Sequence, residues 1–203
     1  MLWLTKLGDQ ALSVSVQLRG NLGAAPIDLK MIRRCIELSR VSVSKGELPF
    51  GAIIARDDEV VVEAINRVAA DNDGGRHAEM VAMSEAQGKR GRFWLRACTL
   101  YTNVEPCPMC SWMVREHGIK RVVYSIKSPV MGGYSAFNVL SDKRLSSTMP
   151  FFFRKPPEVV SGILVDEAEA VWREWRPFVW SLIKMRGCLG EAGTNHHARD
   201  PAH

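Results

Sequence analysis

Apolar positions along the chain recur with two periods, and the alternation between them sets the order of elements. Leu29 to Val43 places Ile32, Cys35, Ile36 and Val43 at helical spacing, which predicts a helix with one apolar face. Pro26-Ile27-Asp28 before it supplies a stop and, in Asp28, an N-cap candidate, and Gly46 is expected to end the helix. Gly51–Arg56 and Val60–Ile65 are short β-branched runs around Asp57-Asp58-Glu59, the pattern of a hairpin. The Asn, Asp and Gly punctuation of residues 66–75 reads as a loop. His77 to Gln87 returns to helical composition with Gly88 as its stop, and residues 97–104 read as a strand. Cys107–Glu116 is expected to be a helix entered past Pro106, and Arg121–Ile126 the next strand. Residues 127–156 are loop-rich, with a short helix expected around 136–140. A last strand is expected over 159–165, and an amphipathic helix over 166–185, kinked before Pro177.

The order α-β-β-α-β-α-β-(α)-β-α predicts an α/β fold, a mixed sheet of about five strands with helices on both faces. At 203 residues the chain is long enough for one domain with a well-buried core, placed here over residues 27–187. Residues 1–26 are mildly apolar but interrupted by Lys6, Asp9, Gln10 and Arg19; they lack the uninterrupted apolar core of a signal peptide and read as a cytoplasmic N-terminal extension. Residues 188–203 are polar and Gly-punctuated, and disorder is expected there. No apolar run reaches the ~18–20 residues needed to cross a bilayer, so no membrane partner is expected.

Composition narrows the class only a little. Apolar and charged fractions of 46% and 24% are those of ordinary globular proteins. A net charge of +5 permits nucleic acid as a partner without demanding it. The local cluster Lys89, Arg90, Arg92 and Arg96 reads first as a solvated helix end and loop. Five cysteines with one closely spaced pair argue against a disulfide framework and for a reducing compartment.

That pair is where the chemistry gathers. His77-Ala78-Glu79 stands at one expected helix start, and Pro106-Cys107-Pro108-Met109-Cys110 at another. A catalytic zinc site takes three protein ligands and leaves a fourth position for water. His77, Cys107 and Cys110 supply three, and helix N-termini favour thiolates over thiols. Glu79 can then serve as the proton carrier for hydrolysis without ligating the metal. Alternatives attach to each part: a redox dithiol, or a structural zinc site closed by His117 as a fourth ligand. A closed site has no evident use for Glu79.

These motifs, in this order, resemble the cytidine/deoxycytidylate deaminase superfamily, in the branch of guanine and cytosine deaminases and tRNA adenosine deaminases. LPFGAII at 48–54, AIN at 64–66, RHAEM at 76–80 and NVEPCPMC at 103–110 carry the resemblance. It implies a three-layer α/β/α sandwich, usually dimeric, that uses Zn2+ to convert the exocyclic amine of a nucleobase or nucleoside to a carbonyl with release of ammonia. It also implies that Asn66 binds the base and that the backbone around Phe50, Gly51, Ala78 and Glu105 lines the pocket; the alternative for Asn66 is a turn residue after a strand. A free base or nucleoside is the first expectation for substrate, and tRNA adenosine the second. Pro49-Phe50-Gly51 is closer to the free-base enzymes, and Trp112 stands where the tRNA enzymes usually carry a small residue. Lys127-Ser128-Pro129 matches neither group, which makes 131–153 the expected specificity loop.

Overall fold

The computed structural model describes residues 24–190; the expectations for residues 1–23 and 191–203 lie outside the described residues. The elements in chain order are α1 (Pro26–Ser44), β1 (Gly51–Arg56), β2 (Glu59–Ile65), α2 (Val68–Asp71), α3 (Ala78–Arg90), a 3-10 turn (Arg92–Ala97), β3 (Thr99–Val104), α4 (Pro108–His117), β4 (Arg121–Ile126), α5 (Lys143–Thr148), β5 (Glu158–Ser161), α6 (Val165–Trp175) and α7 (Pro177–Met185). The five strands form one sheet in the order β2-β1-β3-β4-β5. β1 pairs antiparallel with β2 and β3, whereas β3–β4 and β4–β5 are parallel.

Alternate residues of the central strands feed two separate cores. Ile53, Tyr101 and Val123 pack on one face against Met31, Ile32, Cys35 and Ile36 of α1, Trp172 of α6 and Trp180 of α7. Ala52, Ile54, Leu100, Val122 and Tyr124 pack on the other against Val81, Ala82, Met83 and Ala86 of α3 and Val114 of α4. That is the three-layer sandwich expected from the element order. The hairpin turn holds Asp57 and Asp58 at φ 51° and 65°, the left-handed pair that a two-residue connection needs.

Several boundaries differ from expectation. Ala25, not Asp28, is the N-cap of α1, and Asp28 is buried in the first turn. Its carboxylate accepts from the Arg121 guanidinium at 2.5 and 2.8 Å and from the Tyr101 hydroxyl at 3.1 Å, tying α1 to β3 and β4. The 66–75 loop contains one helical turn, α2. Gly88 sits inside α3, and Gly91 at φ +84° ends it. The expected helix at 136–140 is a run of turns, with the helix displaced to Lys143–Thr148 under the Asp142 cap. β5 stops at Ser161, because Gly162 and Leu164 take positive φ and turn the chain into α6. The Pro177 kink is a full break at Arg176. Past Gly187 the chain stays packed as far as Gly190: Leu189 is buried, the Cys188 carbonyl accepts from Ser128 Oγ, and Gly190 N–H donates to the Lys127 carbonyl.

The topology brings one sheet edge to prominence. Gly51 begins β1 opposite Ile65, the end of β2, while Ala52 pairs with Thr102 near the end of β3. Asn66, Asn103 and Glu105 therefore stand along one edge, and α3 and α4 both start there.

Candidate active site

His77 is the N-cap of α3 and Cys107 the N-cap of α4. Pro108, not Pro106, occupies the first helical turn, where its missing N–H costs nothing. A short ion-paired loop delivers His77: Arg67 N–H donates to the Arg76 carbonyl at 3.0 Å, and the Asp71 carboxylate takes both Arg67 and Arg76.

Three donor atoms converge. His77 Nδ1 lies 3.6 Å from Cys107 Sγ and 3.6 Å from Cys110 Sγ, and the two sulfurs are 3.6 Å apart. Zinc bonded at about 2.3 Å to sulfur and about 2.05 Å to nitrogen holds tetrahedral donors roughly 3.6–3.8 Å from one another. The triangle fits that ion without rearrangement, and among the described residues this is the group of His, Cys, Asp and Glu side chains spaced to hold a metal. His117 does not join it: its Nδ1 contacts the Met113 carbonyl at 2.9 Å and its Nε2 contacts Gln87 Oε1 at 2.6 Å. Among the described residues, no fourth side chain joins the triangle to make the closed four-ligand alternative.

The electrostatics follow from crowding. The Cys107 thiol is pulled down to about 4, first by its hydrogen bond with Cys110 and then by His77 against the opposing effect of burial. Cys110 is pushed well above the usual thiol range, because its proton is shared with Cys107 and it is buried. His77 is raised by its hydrogen bond to Cys107. Glu79 is buried, with Oε2 3.8 Å from Cys110 Sγ, and that burial pushes its carboxyl up to about 7.

The walls are equally specific. Phe50 lies parallel to the His77 ring at 6.5 Å between centroids and meets Trp172 of α6 edge-on at 5.2 Å. The amide of Asn103 brackets Phe50, accepting from Gly51 N–H at 2.9 Å and donating to the Pro49 carbonyl at 2.9 Å. A Cβ on Gly51 would stand 2.5 Å from the Cys35 carbonyl oxygen, so the bare glycine lets α1 lie directly on β1. Asn66 is buried; its N–H reaches the Phe50 carbonyl at 3.3 Å and its Nδ2 donates to Glu47 at 2.9 Å. Ala78 is buried in the first turn of α3.

Glu105 acts through its side chain. The carboxylate accepts from the N–H groups of Ser128, Tyr134 and Ser135 and from Ser135 Oγ, at 2.6–3.0 Å, and so builds the loop after β4 around itself. Arg115 of α4, 1% exposed, holds the next stretch: it donates to the carbonyls of Val139, Asp142 and Arg154 and to Ser146 Oγ. Trp112 does not enter the core; it is 44% exposed and packs edge-on against Phe153. Of the basic cluster, Arg90 covers Trp94 and Arg96 covers Phe93.

Sequence reasoning missed Glu47, Asn103 and Arg115. Asn103 left the one usable signal, a polar amide in the otherwise apolar end of a central strand. Glu47 and Arg115 bond to groups distant in sequence and leave no local pattern.

Comparison with known proteins agrees with the geometry. Residues 26–126 match the cytidine and deoxycytidylate deaminase zinc-binding region. The tRNA-specific adenosine deaminase of Aquifex aeolicus is 39% identical over 121 residues, which cover 59% of this chain and 80% of that protein. A solved structure from work on A-to-I editing by tRNA:A34 deaminases superposes with a TM-score of 0.62 at 25% identity, over 70% of this chain and 98% of its own. A protein solved in complex with 8-azaguanine gives a TM-score of 0.62 at 26% identity, over 74% of this chain and 85% of its own. The chain belongs to the zinc-binding cytidine and deoxycytidylate deaminase family and is a zinc-dependent hydrolytic deaminase.

Proposed function

We propose that this deaminase acts on adenosine in RNA of the tRNA anticodon kind, producing inosine and ammonia. The observation that carries the reading is the 39% identity to a tRNA-specific adenosine deaminase across 80% of that protein's length. It reverses the order expected from Phe50 and Trp112, because likeness over most of a relative's length weighs more than two single residues.

His77, Cys107 and Cys110 would hold the zinc, which when bound supplies the activation of water for attack on the amine-bearing carbon. Glu79 takes a proton from the attacking water and delivers it first to the ring nitrogen and then to the departing amine. Burial raises the Glu79 carboxyl from the usual carboxylate range, the direction that suits a group that must both take and return a proton. Atoms balance as amine plus water giving carbonyl plus ammonia. Phe50 and Asn66 hold the base, and the first amides of α3 at Ala78 face the site without intrahelical acceptors.

A second reading, a free purine base as substrate, draws on the neighbour solved with 8-azaguanine. Both are tested with one panel. Zinc-loaded protein should convert adenosine in an anticodon stem-loop, with a rate that falls steeply as salt rises. Turnover of guanine, adenine or cytosine without turnover of the RNA would favour the second reading, and no turnover of either would overturn both.

We also place the protein in the cytoplasm as a homodimer. Among the described residues no helix is long and apolar enough to cross a membrane. Beside α4, Met131, Phe137, Phe151 and Phe152 are 48%, 55%, 92% and 54% exposed, an apolar surface suited to a second copy of the chain.

A further inference from the structure

Glu47 stands in the turn between α1 and β1, is 4% exposed, and is not part of the His77, Cys107 and Cys110 group. Its carboxylate takes three donors: Ala70 N–H at 2.7 Å, Ala69 N–H at 3.2 Å and Asn66 Nδ2 at 2.9 Å. Burial alone would raise this carboxyl, but the two amides and Asn66 outweigh it and hold it below the usual carboxylate range. Glu47 is therefore an acceptor only. An amide facing an acceptor must turn its NH2 end toward it, so the Oδ1 end of Asn66 is turned away. That oxygen is buried and has no hydrogen-bond partner among the described residues. A buried amide oxygen without a partner is costly unless something arrives to donate to it. The backbone ties Asn66 to this part of the molecule: its N–H donates to the Phe50 carbonyl at 3.3 Å, and the Phe50 ring lies parallel to that of His77.

We propose that Glu47 is a positioning residue for substrate selection: it locks the polarity of the Asn66 amide so that Oδ1 accepts an N–H of the base, which in adenosine can only be an N–H of the exocyclic amine because the ring nitrogens carry no hydrogen. The inference rests on the deaminase reading for its substrate and goes beyond it in assigning a role to a residue that touches neither metal nor base. A base that presents only an acceptor at this place meets a lone pair it cannot satisfy. Glu47→Gln removes the lock at nearly constant volume, because a glutamine can donate as well as accept and lets Asn66 sit either way round.

The test is a double-mutant cycle on zinc-loaded protein with the best substrate of the panel. Glu47→Gln should lower kcat/KM by about tenfold or more, mainly through KM, with zinc content unchanged. Asn66→Ala should cost at least as much, and Glu47→Gln added to Asn66→Ala should cost nothing further. Glu47→Asp, which keeps the charge, should lose less than Glu47→Gln. Wild-type kinetics in Glu47→Gln, or losses that multiply in the double variant, would overturn the proposal. If the wild type turns over nothing, the functional reading fails by itself, and the Asn66 amide is then read by NMR. Its side-chain protons should be shifted and slow to exchange in the wild type and lose both properties in Glu47→Gln; unchanged signals would sink the inference.

Discussion

Cys110 keeps its proton while Cys107 gives one up, and this asymmetry between two sulfurs 3.6 Å apart has a measurable consequence. Zinc binds thiolates, so metal uptake must expel the proton that Cys110 retains at neutral pH. Titrating zinc into metal-stripped protein near pH 7 in a weakly buffered indicator solution should release at least one proton per zinc. Cys110→Ser should release fewer and bind zinc far more weakly. Release of no proton would mean that both sulfurs are already ionised, contrary to the crowding described above. This part of the site was legible in the sequence because His77 with Glu79, and Cys107 with Cys110, are each close neighbours on the chain. Glu47 was not legible, since its partners Asn66, Ala69 and Ala70 come from the far side of a hairpin. Asp28 was legible as polar and near a helix start, yet its partners Tyr101 and Arg121 made it a buried anchor instead of a cap.

At the scale of elements, β1 to β4 followed their apolar runs closely, whereas helix ends and the loop after β4 did not. Gly88 carries no left-handed requirement and is absorbed into α3, while Gly91 at φ +84° does the terminating. A glycine's position in sequence does not reveal its φ. The 131–154 stretch has little periodicity of its own because its shape is imposed by two side chains, Glu105 and Arg115. Its glycines are equally dependent on tertiary contacts: a Cβ on Gly132 would lie 2.0 Å from Glu105 Oε1, and one on Gly133 2.0 Å from Ser111 Oγ. Arg115→Met keeps the apolar stem but takes the guanidinium donors from the carbonyls of Val139 and Asp142 and leaves the Arg154 carbonyl with Ser146 Oγ alone. It should cost about 2–4 kcal/mol of stability and raise hydrogen exchange over 136–154, with exchange in β1 and β3 little changed. Uniform protection across that loop would show that it holds itself.

For the whole molecule, the two-faced sheet was foreseeable from element order, and its strand order was not, because pairing of β1 with β3 depends on contacts between distant segments. That pairing is what sets the end of β3 beside the end of β2 and places the starts of α3 and α4 at one edge. The exposed aromatics beside α4 bear on how the chain assembles. Sedimentation at micromolar concentration should give twice the chain mass, and Phe151→Asp should shift it toward the monomer. A wild-type monomer would leave that surface to another partner. The proposed reaction depends on Glu79 carrying protons at a zinc held by three side chains. The most direct test is Glu79→Gln, with zinc content and product formation measured on the same sample. Full zinc occupancy with activity lowered by about 10²–10⁴-fold is the predicted result. Wild-type activity, or loss of the metal along with the activity, would contradict it.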